Sequence, residues 1–96
     1  MYELKSLPPF KDFIRKLDNK TSARLLKRLL RVRQGNFGDS ESVGDGVFEL
    51  REHFGPGYRI YCVKQGEKVI FILGGGNKSN QKIDIKEAKE LAKSMK

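Results

Sequence analysis

An α+β fold is predicted for this chain by three observations: two apolar stripes of helical period near the N-terminus, three strand-like runs punctuated by Gly and Pro in the second half, and a further helical stripe at the C-terminus. Helices first, consecutive strands next and a helix last is the order of an antiparallel meander with helices packed on it, not of alternating βα units. At 96 residues the expectation is one domain over residues 1–96, with a single core and no room for a second substrate domain.

Tyr2-Glu3-Leu4 reads as a short first strand. Pro8-Pro9 fits the entry of a helix, where the first turn has no use for amide donors. Phe10, Phe13, Ile14 and Leu17 then fall at i, i+3, i+4 and i+7, one helical face. After a break at Asp18-Asn19-Lys20-Thr21 a second helix runs to about Gln34. Leu25, Leu26, Leu29, Leu30 and Val32 form its apolar side, and Arg24, Lys27, Arg28 and Arg31 the other. The two helices make an αα-hairpin. Gly35 to Gly46, rich in Gly, Ser, Asp and Asn, reads as a polar loop.

Val47 to Phe54, Tyr58 to Lys64 and Lys68 to Leu73 read as strands, separated by Gly55-Pro56-Gly57 and by Gln65-Gly66. With Tyr2-Glu3-Leu4 the sheet has three to four strands. Turns centred on Pro56 and on Gln65-Gly66 put Phe48, Leu50, Ile60, Cys62, Val69 and Phe71 on the face that meets the helices. Glu49, Arg51, His53, Arg59 and Tyr61 then share the opposite, solvent-open face over Ile70 and Ile72. The last helix is expected to start at Asp84, which with Glu87 forms a capping box. Ala88, Leu91, Ala92 and Met95 supply its apolar positions.

The net charge of +8 exceeds what folding or solubility asks of a small domain and points to a polyanionic partner. The charge is segregated. Residues 1–34 carry ten Lys/Arg against three acids, residues 35–55 one against five, and residues 56–96 nine against four. Four cations on one helix face repel one another unless an anion sits nearby. A lone cysteine, Cys62, excludes an internal disulfide and fits a reducing, cytoplasmic setting. Neither a signal core nor a membrane-length apolar run is visible. A single histidine and scattered carboxylates make no recognisable metal-ligand set, so no metal and no cofactor is expected. Gly74-Gly75-Gly76 before Lys78 lacks the spacing of a Walker A loop and reads as a flexible strand-to-helix connection.

Gly57-Tyr58-Arg59-Ile60-Tyr61, the Glu49-Leu50-Arg51 strand, Gly74-Gly75-Gly76-Asn77-Lys78-Ser79 and Asp84-Ile85 together resemble the signature of RelE/ParE toxins of bacterial toxin–antitoxin modules, in particular the HigB-like addiction module killer branch. The resemblance spans nearly the whole chain. Gly76-Asn77 departs from relatives that have an aspartate just before the lysine.

The resemblance implies a RelE-like fold and a type II toxin that acts as a ribosome-dependent mRNA endoribonuclease. The implied partners are a helix-turn-helix antitoxin, the ribosome and mRNA, with operator DNA reached only through the antitoxin and no membrane involved. The ParE side of the same fold inhibits DNA gyrase without cutting RNA, and an inactive nucleic-acid-binding relative is the third reading; fold alone does not choose.

Metal-free RNA cleavage requires removal of the 2′-hydroxyl proton, neutralisation of the phosphorane and protonation of the departing 5′-oxygen. Arg59, in the quoted motif, offers a permanently charged planar fork for phosphate oxygens. As a solvent-facing arginine, its loss is expected to leave the fold intact. Lys78 follows as a phosphate ligand or proton-transfer group, and Arg51 as a second side of the clamp or merely the partner of Glu49 or Glu52. His53 is either a general acid or base or an ordinary exposed histidine, and Tyr61 either stacks on a base, hydrogen-bonds near the scissile phosphate with a part in proton movement, or packs. Arg24, Lys27, Arg28 and Arg31 are the candidate cations for ribosomal RNA or for an acidic antitoxin surface.

Overall fold

The computed structural model describes residues 1–95. Its strands are β1 (Glu3–Ser6), β2 (Ser40–Gly44), β3 (Val47–Glu52), β4 (Tyr58–Gln65) and β5 (Val69–Asn77); its helices are α1 (Pro8–Arg15), α2 (Asn19–Arg33) and α3 (Gln81–Ser94), the last preceded by a 3-10 turn at Lys78–Asn80. The strands form one sheet in the order β1-β5-β4-β3-β2, antiparallel except for β1, which runs parallel to β5. The expected α+β architecture is present, with five strands where three to four were expected.

The additional strand, β2, comes from the segment 35–46 read as a loop. Asp45 and Gly46, at φ +58° and +80°, make the two-residue turn that joins β2 to β3. Both central residues of a type I′ turn need positive φ, which Asp tolerates and Gly adopts freely. The pair is a sequence-level hairpin signal.

The N-terminal helices form as the sequence indicates. Pro8 and Pro9 occupy the first positions of α1, and Asp18, placed in the break between helices, is the N-cap of α2, accepting a 3.2 Å hydrogen bond from the Thr21 amide. That bond satisfies one of the orphan donors of the first turn; the Thr21 side chain first, with this amide adding to it, holds the Asp18 carboxyl below its ordinary value.

The helices cover opposite faces of the sheet. Phe10 from α1 and Leu25, Leu29 and Val32 from α2 meet Leu50, Ile60, Cys62, Ile70 and Ile72 in one core. On the other face Val47, Tyr61 and Leu73 meet Ala88 and Ala92 of α3. At roughly 1.5–3 kcal/mol for each fully buried large apolar side chain, both layers contribute to stability. Among the described residues, helices lie on both faces of β3–β5.

Leu50, Ile60 and Cys62 face the hairpin as expected, but β5 is turned over: Ile70 and Ile72 join that core, while Phe71 packs on the α3 side. The connection is the three residues Gly66-Glu67-Lys68, with Gln65 paired to Val69 and Cys62 to Ile72, whereas a two-residue turn on Gln65-Gly66 would have paired Cys62 with Val69. An odd slip in register exchanges the two faces. A β-bulge follows, since Tyr61 pairs with Gly74 and Cys62 with Ile72. Leu73 is the extra residue: ordinary alternation buries Ile72 in one core and Leu73 in the other, and the bulge shifts the pairing of Gly74 to Asn77 by one.

Gly74-Gly75-Gly76 continues β5 and is not a loop. A Cβ on Gly75 would stand 2.5 Å from Phe13 Cδ2 and 3.1 Å from the Arg59 carbonyl, and one on Gly76 would overlap Asp84 Oδ2. Glycine here lets α1 and α3 approach the strand from its two sides. The last helix accordingly begins at Gln81 instead of Asp84, with Asp84 in its first turn; Asn80 stands at the N-cap and makes no side-chain capping bond. The Asp84-Glu87 capping box therefore does not form.

Candidate functional site

Arg59 and Glu49 come from neighbouring strands and point to the face that α3 covers. Their side chains are 7% and 3% exposed, with Arg59 Nε 3.8 Å from Glu49 Oε2. Gln81, at the start of α3, spans the carboxylate: its Nε2 donates to Glu49 Oε1 at 2.9 Å and to Oε2 at 3.2 Å. Arg59 Nη1 donates to the Tyr58 carbonyl at 3.2 Å, whereas its Nε has no hydrogen-bond partner among the described residues. Glu49 thus fixes a guanidinium whose bonding capacity is not filled. A buried charged donor left in that condition costs stability.

Tyr61 is fully buried beside this pair, and its hydroxyl also lacks a partner among the described residues. Burial pushes the phenol upward, the carboxylates of Glu49 and Asp84 push it further, and Arg59 opposes them. Asp84 is itself raised, first by burial and then by Glu87. The expected exposed Tyr61, ready to stack on a base, is therefore corrected: α3 covers the strand pair that carries it.

Lys78 is exposed and opens the 3-10 turn directly after β5. Its link to Arg59 runs through Gly57, where a Cβ would lie 3.4 Å from Lys78 Cβ and 3.8 Å from Arg59 Nη1. Gly57 sits at φ +80°, a left-handed backbone that favours glycine, whereas a Cβ there would make only ordinary contacts. Arg59 Nη1 and the root of Lys78 therefore both lie against Gly57 at one end of the sheet, between the β3–β4 turn and the end of β5. The Asn77 side chain accepts from the Ser79 amide at 3.0 Å and shapes the backbone there. An asparagine does this without adding negative charge beside Lys78.

The remaining predicted residues are placed differently. Arg51 pairs across the strands with Arg59, yet its guanidinium goes to Asp39, at 3.1 and 2.8 Å, and to Glu41 at 2.7 Å, with Glu49 4.0 Å away. The predicted competing reading of Arg51 as an ion-pair partner is observed, with acids from β2 and the residue before it in place of Glu52. Asp39 also receives His53 Nε2 at 2.5 Å, and His53 and Arg51 hold its carboxyl below the ordinary range. His53 is 71% exposed in its side chain and, like Asp39, lies outside the Arg59–Lys78 corner. Cys62 is a core residue whose thiol burial pushes up.

Arg28 does not share the outer face of α2. It is buried, donates to the carbonyls of Arg51, Phe37 and Asp39 at 2.7, 2.7 and 2.8 Å, and pairs with Glu52. The guanidinium pins the segment before β2 to the end of β3. Arg24, Lys27 and Arg31 remain exposed. The acidic middle of the sequence is thereby explained: Asp39, Glu41, Glu49 and Glu52 neutralise Arg28, Arg51 and Arg59 within the molecule. Glu49, Gln81 and Asp84 are members of the site that sequence reasoning missed. The signal for Glu49 was an acid alternating with Leu50 on a strand whose cross-strand neighbour is basic.

The mixed five-stranded sheet, helical hairpin and C-terminal helix define a RelE-like toxin fold. The structure is similar to E. coli RelE carrying two arginine-to-alanine substitutions in the free state, with a TM-score of 0.73 at 20% identity over 93% of this chain and 96% of that one. It is similar also to the intact E. coli RelBE toxin–antitoxin complex, with a TM-score of 0.66 at 21% identity over 80% and 96%. The chain belongs to the family described as Phage derived protein Gp49-like (DUF891), whose model matches residues 12–96. An uncharacterized protein of Haemophilus influenzae is 43% identical over 94 residues, covering 97% of this chain and 95% of that protein.

Proposed function

We propose that this chain is the toxin of a type II toxin–antitoxin pair and that it inhibits translation by cutting mRNA on the ribosome, with the RNA's own 2′-hydroxyl as nucleophile. The observation that carries the reading is the corner where Arg59, oriented by Glu49 and not saturated by hydrogen bonds, approaches the root of exposed Lys78. A phosphate at this corner meets a fixed planar donor and a mobile point charge, the pairing suited to an oxyanion that gains charge in the transition state. In the step, the 2′-oxygen bonds to phosphorus as its proton passes to water, the bond to the 5′-oxygen breaks and that oxygen takes a proton from water; Arg59 and Lys78 stabilise the phosphorane between. Arg51 and His53 are engaged by Asp39 and Glu41 and take no direct part in the step, and Arg24, Lys27 and Arg31 supply long-range attraction to ribosomal RNA. The fold's likeness to the RelE chain of a toxin–antitoxin complex supports an adjacently encoded antitoxin as the natural inhibitor.

Lys78→Ala is the cleanest test, because an exposed lysine can be removed with little effect on folding. Induction of the wild type should arrest growth and yield mRNA cuts within coding regions by primer extension, and Lys78→Ala should lose most of both. Growth arrest without cuts, accompanied by a stabilised gyrase–DNA cleavage complex, would replace this reading with topoisomerase inhibition.

A further inference from the structure

Resting on the RNA-cleavage reading, we infer that Arg24, Phe54 and Tyr58 form a stacking site for a nucleobase next to the cut, so that this corner reads the base as well as the phosphate. The Arg24 guanidinium carbon lies 3.8 Å from the centroid of the Phe54 ring, at stacking distance. The Phe54 and Tyr58 rings stand 5.3 Å apart, and Tyr58 in turn stands 6.3 Å from Phe13 of α1. Phe54 and Tyr58 are only partly buried, and Arg24 is exposed. No carboxylate pairs with Arg24 among the described residues, although Glu52 and Asp39 bind its helix neighbour Arg28 and Arg51 nearby. The outer side of a guanidinium already laid on a ring is half of a sandwich for a second flat group, and nucleobases stack on both aromatic rings and arginine planes.

The site is tied to the phosphate corner through one turn. Phe54 and Tyr58 flank Gly55-Pro56-Gly57; a Cβ on Gly55 would touch Tyr58 Cε2 at 3.3 Å, and one on Gly57 would touch Lys78 and Arg59. Both glycines have positive φ, +57° and +80°. The turn is thus folded back so that the aromatic pair stands on one flank and the two phosphate-directed cations on the other. Arg59 bonds the Tyr58 carbonyl, so the stacking residue and the charge stabiliser are adjacent in the chain and joined by a hydrogen bond. The aromatic pair packs against the hairpin core while Arg59 faces α3, so an RNA strand that reaches both passes over the Gly55-Pro56-Gly57 turn.

The test uses ribosomes programmed with an mRNA that the wild type cuts, in which an abasic nucleotide replaces each of the two nucleotides on either side of the cut in turn. For the wild type, one of these replacements should lower kcat/KM about tenfold, the scale of losing a single base–aromatic stack. Arg24→Lys keeps the charge but not the plane, and Phe54→Leu keeps apolar bulk without a ring. Each should cut the intact mRNA more slowly yet show an abasic penalty below about twofold. A purely structural role for these residues slows both mRNAs equally and preserves the penalty, which overturns the inference, as does a wild type indifferent to every abasic replacement. A wild type that cuts no programmed mRNA overturns the cleavage reading and this inference with it.

Discussion

Replacing Arg59 with alanine removes one half of the ion pair buried beneath α3. Glu49, 3% exposed, is then left with Gln81 at 2.9 and 3.2 Å and with Arg51 at 4.0 Å as its nearest cation. Breaking a buried pair on one side costs about 3–5 kcal/mol, because the surviving charge is desolvated without compensation. The two hydrogen bonds from Gln81 and the nearby Arg51 place this case at the low end, about 3 kcal/mol. For a domain of this size that corresponds to a fall in Tm of about 12–24 °C. Urea denaturation should show the lower midpoint with an unchanged slope. Arg59→Ala combined with Glu49→Gln should recover all but about 1 kcal/mol, since the orphaned charge is gone. Equal midpoints for wild type and single variant would refute the buried-pair argument and return Arg59 to the status of the surface arginine that its sequence suggests. Lost toxicity in Arg59→Ala would therefore report on folding as well as chemistry.

Gly75→Ala should lower stability by about 1–3 kcal/mol, the range for overpacking, because the added methyl stands 2.5 Å from the Phe13 ring and 3.1 Å from the Arg59 carbonyl. Pairing it with Phe13→Leu should restore part of the loss in a thermal melt. Arg28→Ala should cost about 3–5 kcal/mol by stranding Glu52 and three backbone carbonyls, while Lys27→Ala and Arg31→Ala stay within about 0.5 kcal/mol, as read by chemical denaturation. Asp39, held below its ordinary value of 3.8 by His53 and then Arg51, contributes stability that is present above pH 3.8 and is lost as pH falls through the lowered value. Acid unfolding of Asp39→Asn should therefore lack this component, and superimposable pH profiles for variant and wild type would contradict the assignment.

The sequence by itself determined the local elements that carry their own instructions. The i, i+3, i+4, i+7 stripe from Phe10, the Pro8-Pro9 entry, and the strands bracketed by Gly55-Pro56-Gly57 and Gly66 all appear where their patterns put them, because helical period, missing amide donors and positive φ act within a few residues. The Gly57-to-Tyr61 motif likewise identified the strand that carries Arg59. Asp45-Gly46 carried the signal for β2 in the same local way. What the tertiary structure decided is which face each side chain meets. A three-residue connection turned the start of β5 over, one bulge at Leu73 shifted the pairing beyond it, and three successive small residues, Gly74 to Gly76, let helices close on both sides of a strand. These outcomes depend on chain segments distant in sequence, so no window contains them. Tyr61 and Arg59 became buried because α3 lies on their face, and Arg28 became internal because the segment before β2 folds across it. Charge shows the division most plainly: the count of +8 is fixed by composition, but only packing decides which cations are neutralised inside and which, like Lys78 and Arg24, face outward.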